Sequence, residues 1–155
     1  MELGFFDEVA EAVRGLVPDG LGHLRLRPRR WGLKVWFGER GPTREHYEAQ
    51  VIAPDGIDGA SVLALEIGFH AEHRSAADND AVIARLVAGQ GGREGWRQVL
   101  GEDPVVGPFL GPFPAWRRVS ETWPDPDLSE PELPLQAALR LTDYVAALEP
   151  LRRGG

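Results

Sequence analysis

The chain contains no cysteine among its 155 residues, so a structural disulfide and any thiolate-ligated metal are excluded. Lysine is nearly missing too: Lys34 is the only one among 17 basic residues. Set against 24 acidic residues, these leave a formal net charge of −7. That balance removes the broad basic surface that nucleic-acid binding needs. No apolar run approaches the ~18 residues of a membrane span. The opening residues, MELGFFDEVAEAVRG, lack the basic start and apolar stretch of a signal peptide. A phosphate loop ending in Lys-Ser or Lys-Thr, a dinucleotide fingerprint, a Gly-x-Ser-x-Gly elbow and a His-Glu-x-x-His zinc signature are all absent. The expectation is a cytoplasmic protein with no membrane association, no nucleic-acid partner and no cofactor. The preference for arginine, with abundant Ala, Gly and Pro, is that of a high-GC bacterial genome and carries no chemistry.

What the chain does have is periodicity. In Ser61–His73 the residues Leu63, Leu65, Ile67 and Phe69 alternate with Glu66, Gly68, His70 and Glu72. A period of two predicts a strand, apolar toward a core and polar on its other face. His46–Val51 repeats the pattern, with Tyr47, Ala49 and Val51 against His46, Glu48 and Gln50. The predicted strands are about His23–Phe37, interrupted near Arg27–Trp31 by Pro28, then His46–Ala53 and Ser61–Glu72. Gly38–Arg44 and Pro54–Ala60 are turn-rich links of hairpin length, so the three strands form an antiparallel meander.

Helical spacing frames this sheet. Phe6, Val9, Val13 and Leu16 predict an amphipathic helix over Glu2–Val17, stopped by Pro18-Asp19-Gly20. Ser75–Ala88 and Arg93–Leu100 predict two central helices divided by Gln90-Gly91-Gly92. Val105–Pro114, punctuated by four prolines' worth of breaks from Pro104 onward, reads as loop or sheet edge, and Ala115–Thr122 as a fourth strand. The last helix, Leu135–Leu148, has an expected stripe of Leu135, Ala138, Thr142, Val145 and Leu148, with Pro134 suited to its first turn. Residues 1–155 therefore read as one α+β domain: an antiparallel meander with N-terminal, central and C-terminal helices packed on one face.

The polar side of the meander is the candidate site. It collects Lys34 and Trp36, then His46, Glu48 and Gln50, then Glu66, His70 and Glu72. Neighbouring residues on antiparallel strands lie about 5 Å apart, but register is not written in the sequence. An ordinary reading pairs Lys34 and the arginines with Glu48 and Glu66 in a solvated charge ladder. The functional reading is a docking face for another protein, with Trp36 as anchor and Glu48, Glu66 and His70 around it. The alternative is a metal-dependent hydrolase or nuclease using Glu48, Glu66, His70 and Glu72, since paired carboxylates and imidazole suit acid–base work or a divalent cation. His70 and His73 do not form one site, because in a strand they face opposite sides. A separate basic concentration, Arg25, Arg27, Arg29, Arg30 and Lys34, is either solvated strand edge or a localised anion contact.

The order of helix, three-strand meander, helix, further strand and C-terminal helix, in an acidic chain, resembles the type III secretion chaperone-like superfamily. That resemblance implies a small α+β protein, often dimeric, that binds other proteins without catalysis. It transfers no residue-level role, and the proline-rich Asp103–Pro114 and Trp123–Pro134 segments depart from it. The leading expectation is a non-catalytic module with a protein partner and a possible homodimer, using the polar sheet face.

Overall fold

A computed structural model describes residues 4–38, 43–53, 63–88, 92–109 and 112–153. The predicted Pro54–Ala60 turn, the Gln90-Gly91 break and the chain's first three residues lie outside the described residues. Four helices and six strands follow in the order α1 (Phe5–Leu16), β1 (Leu24–Arg29), β2 (Gly32–Phe37), β3 (Glu45–Ile52), β4 (Ala64–Ala71), α2 (Ala76–Ala88), α3 (Gly92–Leu100), β5 (Val105–Pro108), β6 (Arg117–Pro124) and α4 (Leu133–Arg152). The fold is α+β. All strand pairs are antiparallel, in the spatial order β1-β2-β3-β4-β6-β5. Among the described residues no helix is long and apolar enough to cross a membrane.

Two strands exceed the sequence expectation. The His23–Phe37 segment is not one interrupted strand but a hairpin, β1 and β2, with Arg29 paired to Gly32 across the Arg30-Trp31 turn. Pro28 is accommodated on β1, the outer strand of the sheet, where the missing N–H costs no interior ladder bond. The proline-rich stretch after α3 contributes β5, which borders the other edge and pairs only with β6.

The apolar face carries Leu33, Val35, Tyr47, Ala49, Leu65, Ile67, Phe69 and Val119 into one continuous core with residues from all four helices. From α1 come Phe6, Val9, Ala10 and Val13, on the expected period. Helix α4 buries Ala138, Val145 and Leu148 of its predicted stripe, but the buried side is wider and leaves Leu135 out. Leu141 and Tyr144 are fully buried, whereas Leu135 is 50% exposed. Apolar residues surround this helix, so period alone does not choose its buried side; packing against both the sheet and α1 does. Buried polar contacts fix it further. Glu121 on β6 accepts hydrogen bonds from Tyr144 Oη at 2.7 Å and Arg140 Nε at 2.8 Å. At the other end of α4, Glu149 accepts from Tyr47 Oη at 3.0 Å.

A candidate metal centre on the buried polar face

The opposite sheet face is arranged in rows set by register. One row runs Arg27, Lys34, Glu48, Gly68, Ser120 and the next Arg29, Gly32, Gln50, Glu66, Thr122. His46 pairs directly with His70, which pairs in turn with Arg118. These positions were expected to be solvated. Instead Glu66 and His70 are fully buried, and His46, Glu48 and Arg118 are nearly so. The cover comes in part from the segment joining β5 to β6, where the Phe109 ring stands edge-on to His70 at 4.7 Å. Phe109 also contacts Trp116, which stacks on Phe113 with centroids 4.0 Å apart.

Within this face His46, Glu48, His70 and Glu72 form a closed ring. His46 Nε2 lies 2.9 Å from Glu48 Oε1 and 3.5 Å from Glu72 Oε2. His70 Nδ1 lies 3.2 Å from the same Glu48 oxygen and 3.3 Å from the same Glu72 oxygen. All four ligand atoms fall within 4.8 Å of one another. Bonds of ~2.0–2.2 Å to a first-row ion place adjacent ligand atoms roughly 3.0–3.5 Å apart, the range these side chains span.

The remaining imidazole nitrogens are already committed. His46 Nδ1 is 3.1 Å from the Thr43 carbonyl oxygen, to which it donates. His70 Nε2 is 2.7 Å from Glu66 Oε2, again as donor. Each ring therefore turns its other nitrogen toward Glu48 and Glu72. Glu66 is held in turn by Gln50 Nε2 at 2.9 Å. Such carboxylate–histidine support orients and strengthens a metal-binding imidazole. Glu66 is thus behind His70 rather than in the ring.

Gly68 makes the convergence sterically possible. It lies between Glu48 and Ser120 in the pairing of β3, β4 and β6. A Cβ there would sit 2.5 Å from Ser120 Cα and closer still to the Val119 carbonyl oxygen. With no side chain at 68, β4 and β6 approach closely and Glu48 leans across to His70.

Of the residues singled out in the sequence, Glu48, His70 and Glu72 meet in the ring and Glu66 braces it. Trp36 shares their face but is only 4% exposed, with the Arg27 guanidinium 5.8 Å from its ring centroid. His73 belongs elsewhere, bonded to Glu45 at 2.8 Å. The Lys34–Glu48 pairing expected for a charge ladder is met in register but not in contact: among the described residues Lys34 makes no ion pair. His46 is the member that site reasoning from sequence omitted. Its signal was present, since His-x-Glu occurs twice, at His46-Tyr47-Glu48 and His70-Ala71-Glu72, and residues i and i+2 of a strand share a face.

No family model, curated protein or solved structure matches this chain.

The buried carboxylates and imidazoles shift one another's proton affinities. Burial alone raises the Glu48 carboxyl, but hydrogen bonds from His46 and His70 outweigh it and hold the group well below the carboxylate range. Glu66 is likewise lowered, its burial overcome by the charge of His70. Burial lowers His70, but Glu66 and the other carboxylates push it well above the ordinary imidazole value. The three carboxylates thus favour the protonated, positively charged form of His70.

The linkage has a definite sign. The lowered Glu48 and Glu66 contribute stability that is present above ~4.3 and lost as pH falls through their folded values. The raised His70 contributes stability that is full below ~6.5 and lost as pH rises through its folded value. Protein kept in chelator should therefore show a urea midpoint that declines from about pH 6.5 upward. Bound metal requires the ring nitrogens unprotonated, so the slope with saturating zinc should reverse. Urea titrations at pH 6, 7 and 8 with chelator and with zinc check this; parallel slopes would count against an ion in the ring.

Proposed function

We propose that this protein is a metal-dependent enzyme of hydrolytic type, binding one divalent first-row transition ion through His46, Glu48, His70 and Glu72. The observation that carries the reading is the ring. Two imidazole nitrogens and two carboxylate oxygens converge, while each imidazole's far nitrogen is held by a protein oxygen. Converging lone pairs and negative charges in a buried setting call for a cation. Two nitrogens and two oxygens suit zinc, iron, manganese or cobalt better than magnesium or calcium. An ion with four protein ligands in a five- or six-coordinate shell keeps room for water, and it lowers the pKa of that water toward neutrality. Arg118, paired with His70 in register and lacking a carboxylate partner within 4 Å among the described residues, adds positive charge beside the ring.

Calorimetric titration of chelator-treated protein with zinc, and with cobalt for its visible spectrum, tests the reading. One ion per chain is expected. Glu72→Gln should weaken it at least ~100-fold, more than the 10–100-fold typical of losing an outer partner. Glu66→Gln should fall inside that smaller range. Absence of stoichiometric uptake by the wild-type chain overturns the proposal.

A docking role for the same face is the second reading, and the chaperone-like resemblance belongs with it. It is favoured by Trp31 and Phe113, which are 55% and 43% exposed at opposite edges of the sheet. It lacks an exposed central anchor, because Trp36 is buried.

A further inference from the structure

The basic concentration in β1 and β2 plays no part in the ring, yet it adjoins it. A cavity of about 330 Å³ is lined by Arg27, Arg30, Trp31, Lys34, Glu48 and Gln50 among others. Glu48 thus belongs both to the ring and to the cavity wall. Arg27 pairs with Lys34 in register, Lys34 pairs with Glu48, and both cations are half-buried. Arg29, a further lining residue, stands at the rim with Arg30, whose guanidinium lies 5.2 Å from the Trp31 ring centroid. Among the described residues none of these four cations makes an ion pair, although the chain as a whole carries a net charge of −7.

Cations without a carboxylate partner among the described residues, gathered around a concave site, attract anions and bind them through charge-assisted hydrogen bonds. The larger cavity, about 440 Å³ at the end of the sheet, offers nothing comparable. There Glu45 is matched by His73 and Arg152, and Glu149 by Tyr47 and Arg152.

We propose that the cavity beside Glu48 holds the anionic end, a carboxylate or phosphate, of a small substrate whose other end reaches the ion. The role of the ion rests on the metal reading above; the anion site itself does not. Arg27 and Lys34 clamp the anion from the floor. Trp31 offers a flat apolar wall to the remainder of the molecule. A volume of about 330 Å³ suits a metabolite-sized ligand.

The test uses the full chain without metal, so that the two ideas fail separately. Succinate and inorganic phosphate are titrated into ¹⁵N-labelled protein, followed by amide and indole shifts. Saturable shifts confined to residues 27–34 and the Trp31 indole are expected. Lys34→Gln should weaken binding about tenfold or more, and Lys34→Arg should retain it. No saturable shifts with either anion, or shifts scattered over the surface, would overturn the anion site even if zinc still binds. Anion binding without any zinc uptake would keep the site and remove the metal. A short single-stranded RNA that binds where both small anions fail would replace the proposal with a nucleic-acid contact.

Discussion

His70→Ala is expected to abolish metal binding and to remove a large part of the folding stability. Its imidazole is fully buried and stands between three carboxylates, Glu48 at 3.2 Å, Glu72 at 3.3 Å and Glu66 at 2.7 Å. Deleting the ring leaves Glu66, itself fully buried, with no histidine partner. Removing one partner of a buried charged pair costs about 3–5 kcal/mol, because the other is stranded in low dielectric. Against the ~5–15 kcal/mol of a typical domain this is a large fraction. The urea midpoint should fall sharply, and zinc should no longer raise it. His46→Ala separates the two effects. Its neighbours Glu48 and Glu72 retain some solvent contact, so the stability loss should be smaller while zinc affinity still drops at least ~100-fold. Wild-type zinc binding in His46→Ala or in folded His70→Ala would refute the assignment of the ring.

Gly68→Val should damage fold and site together. The added side chain meets backbone, not the movable end of a side chain: Ser120 Cα and Cβ at 2.5 Å, with the Val119 carbonyl nearer. Relief requires β4 and β6 to part, and both are interior strands paired on either side. Overpacking of this kind costs roughly 1–3 kcal/mol where side chains can yield, and more where only backbone can. A loss of ~3 kcal/mol or more is expected from urea unfolding. Gly68→Ala, with the same Cβ, should lose nearly as much, unlike a glycine replaced for its entropy alone. Zinc affinity should fall as well, since Glu48 crosses this position to reach His70. Wild-type stability in Gly68→Ala would show that the close approach is not a constraint.

Several features of the site were legible from the alternation in the sequence. Period two in Leu65–Glu72 and in His46–Val51 assigned Glu48, Glu66, His70 and Glu72 to one face, where they lie. The same alternation carries His46 and its repeated His-x-Glu. The contiguous His70-Ala71-Glu72-His73 looks more like a metal motif, yet its two histidines face opposite sides of the strand. On α4, Ala138, Val145 and Leu148 are buried as their spacing predicts, whereas Leu135 is exposed and Leu141 and Tyr144 are buried beside them, because apolar residues on several sides leave the neighbouring elements to choose the width of the buried face.

The sequence by itself determined the α+β class, the meander and the sorting of side chains between two faces, because these follow from periods of 2 and 3.6 and from local breakers. Tertiary structure alone decided which residues meet. Register sets His46 opposite His70, and a missing side chain at Gly68 lets Glu48 reach across. The Phe109 segment, more than thirty residues further along the chain, helps to cover the result. Burial is what turns a row of ordinary polar side chains into a site. It depends on what packs above them, which no local pattern in β3 or β4 encodes.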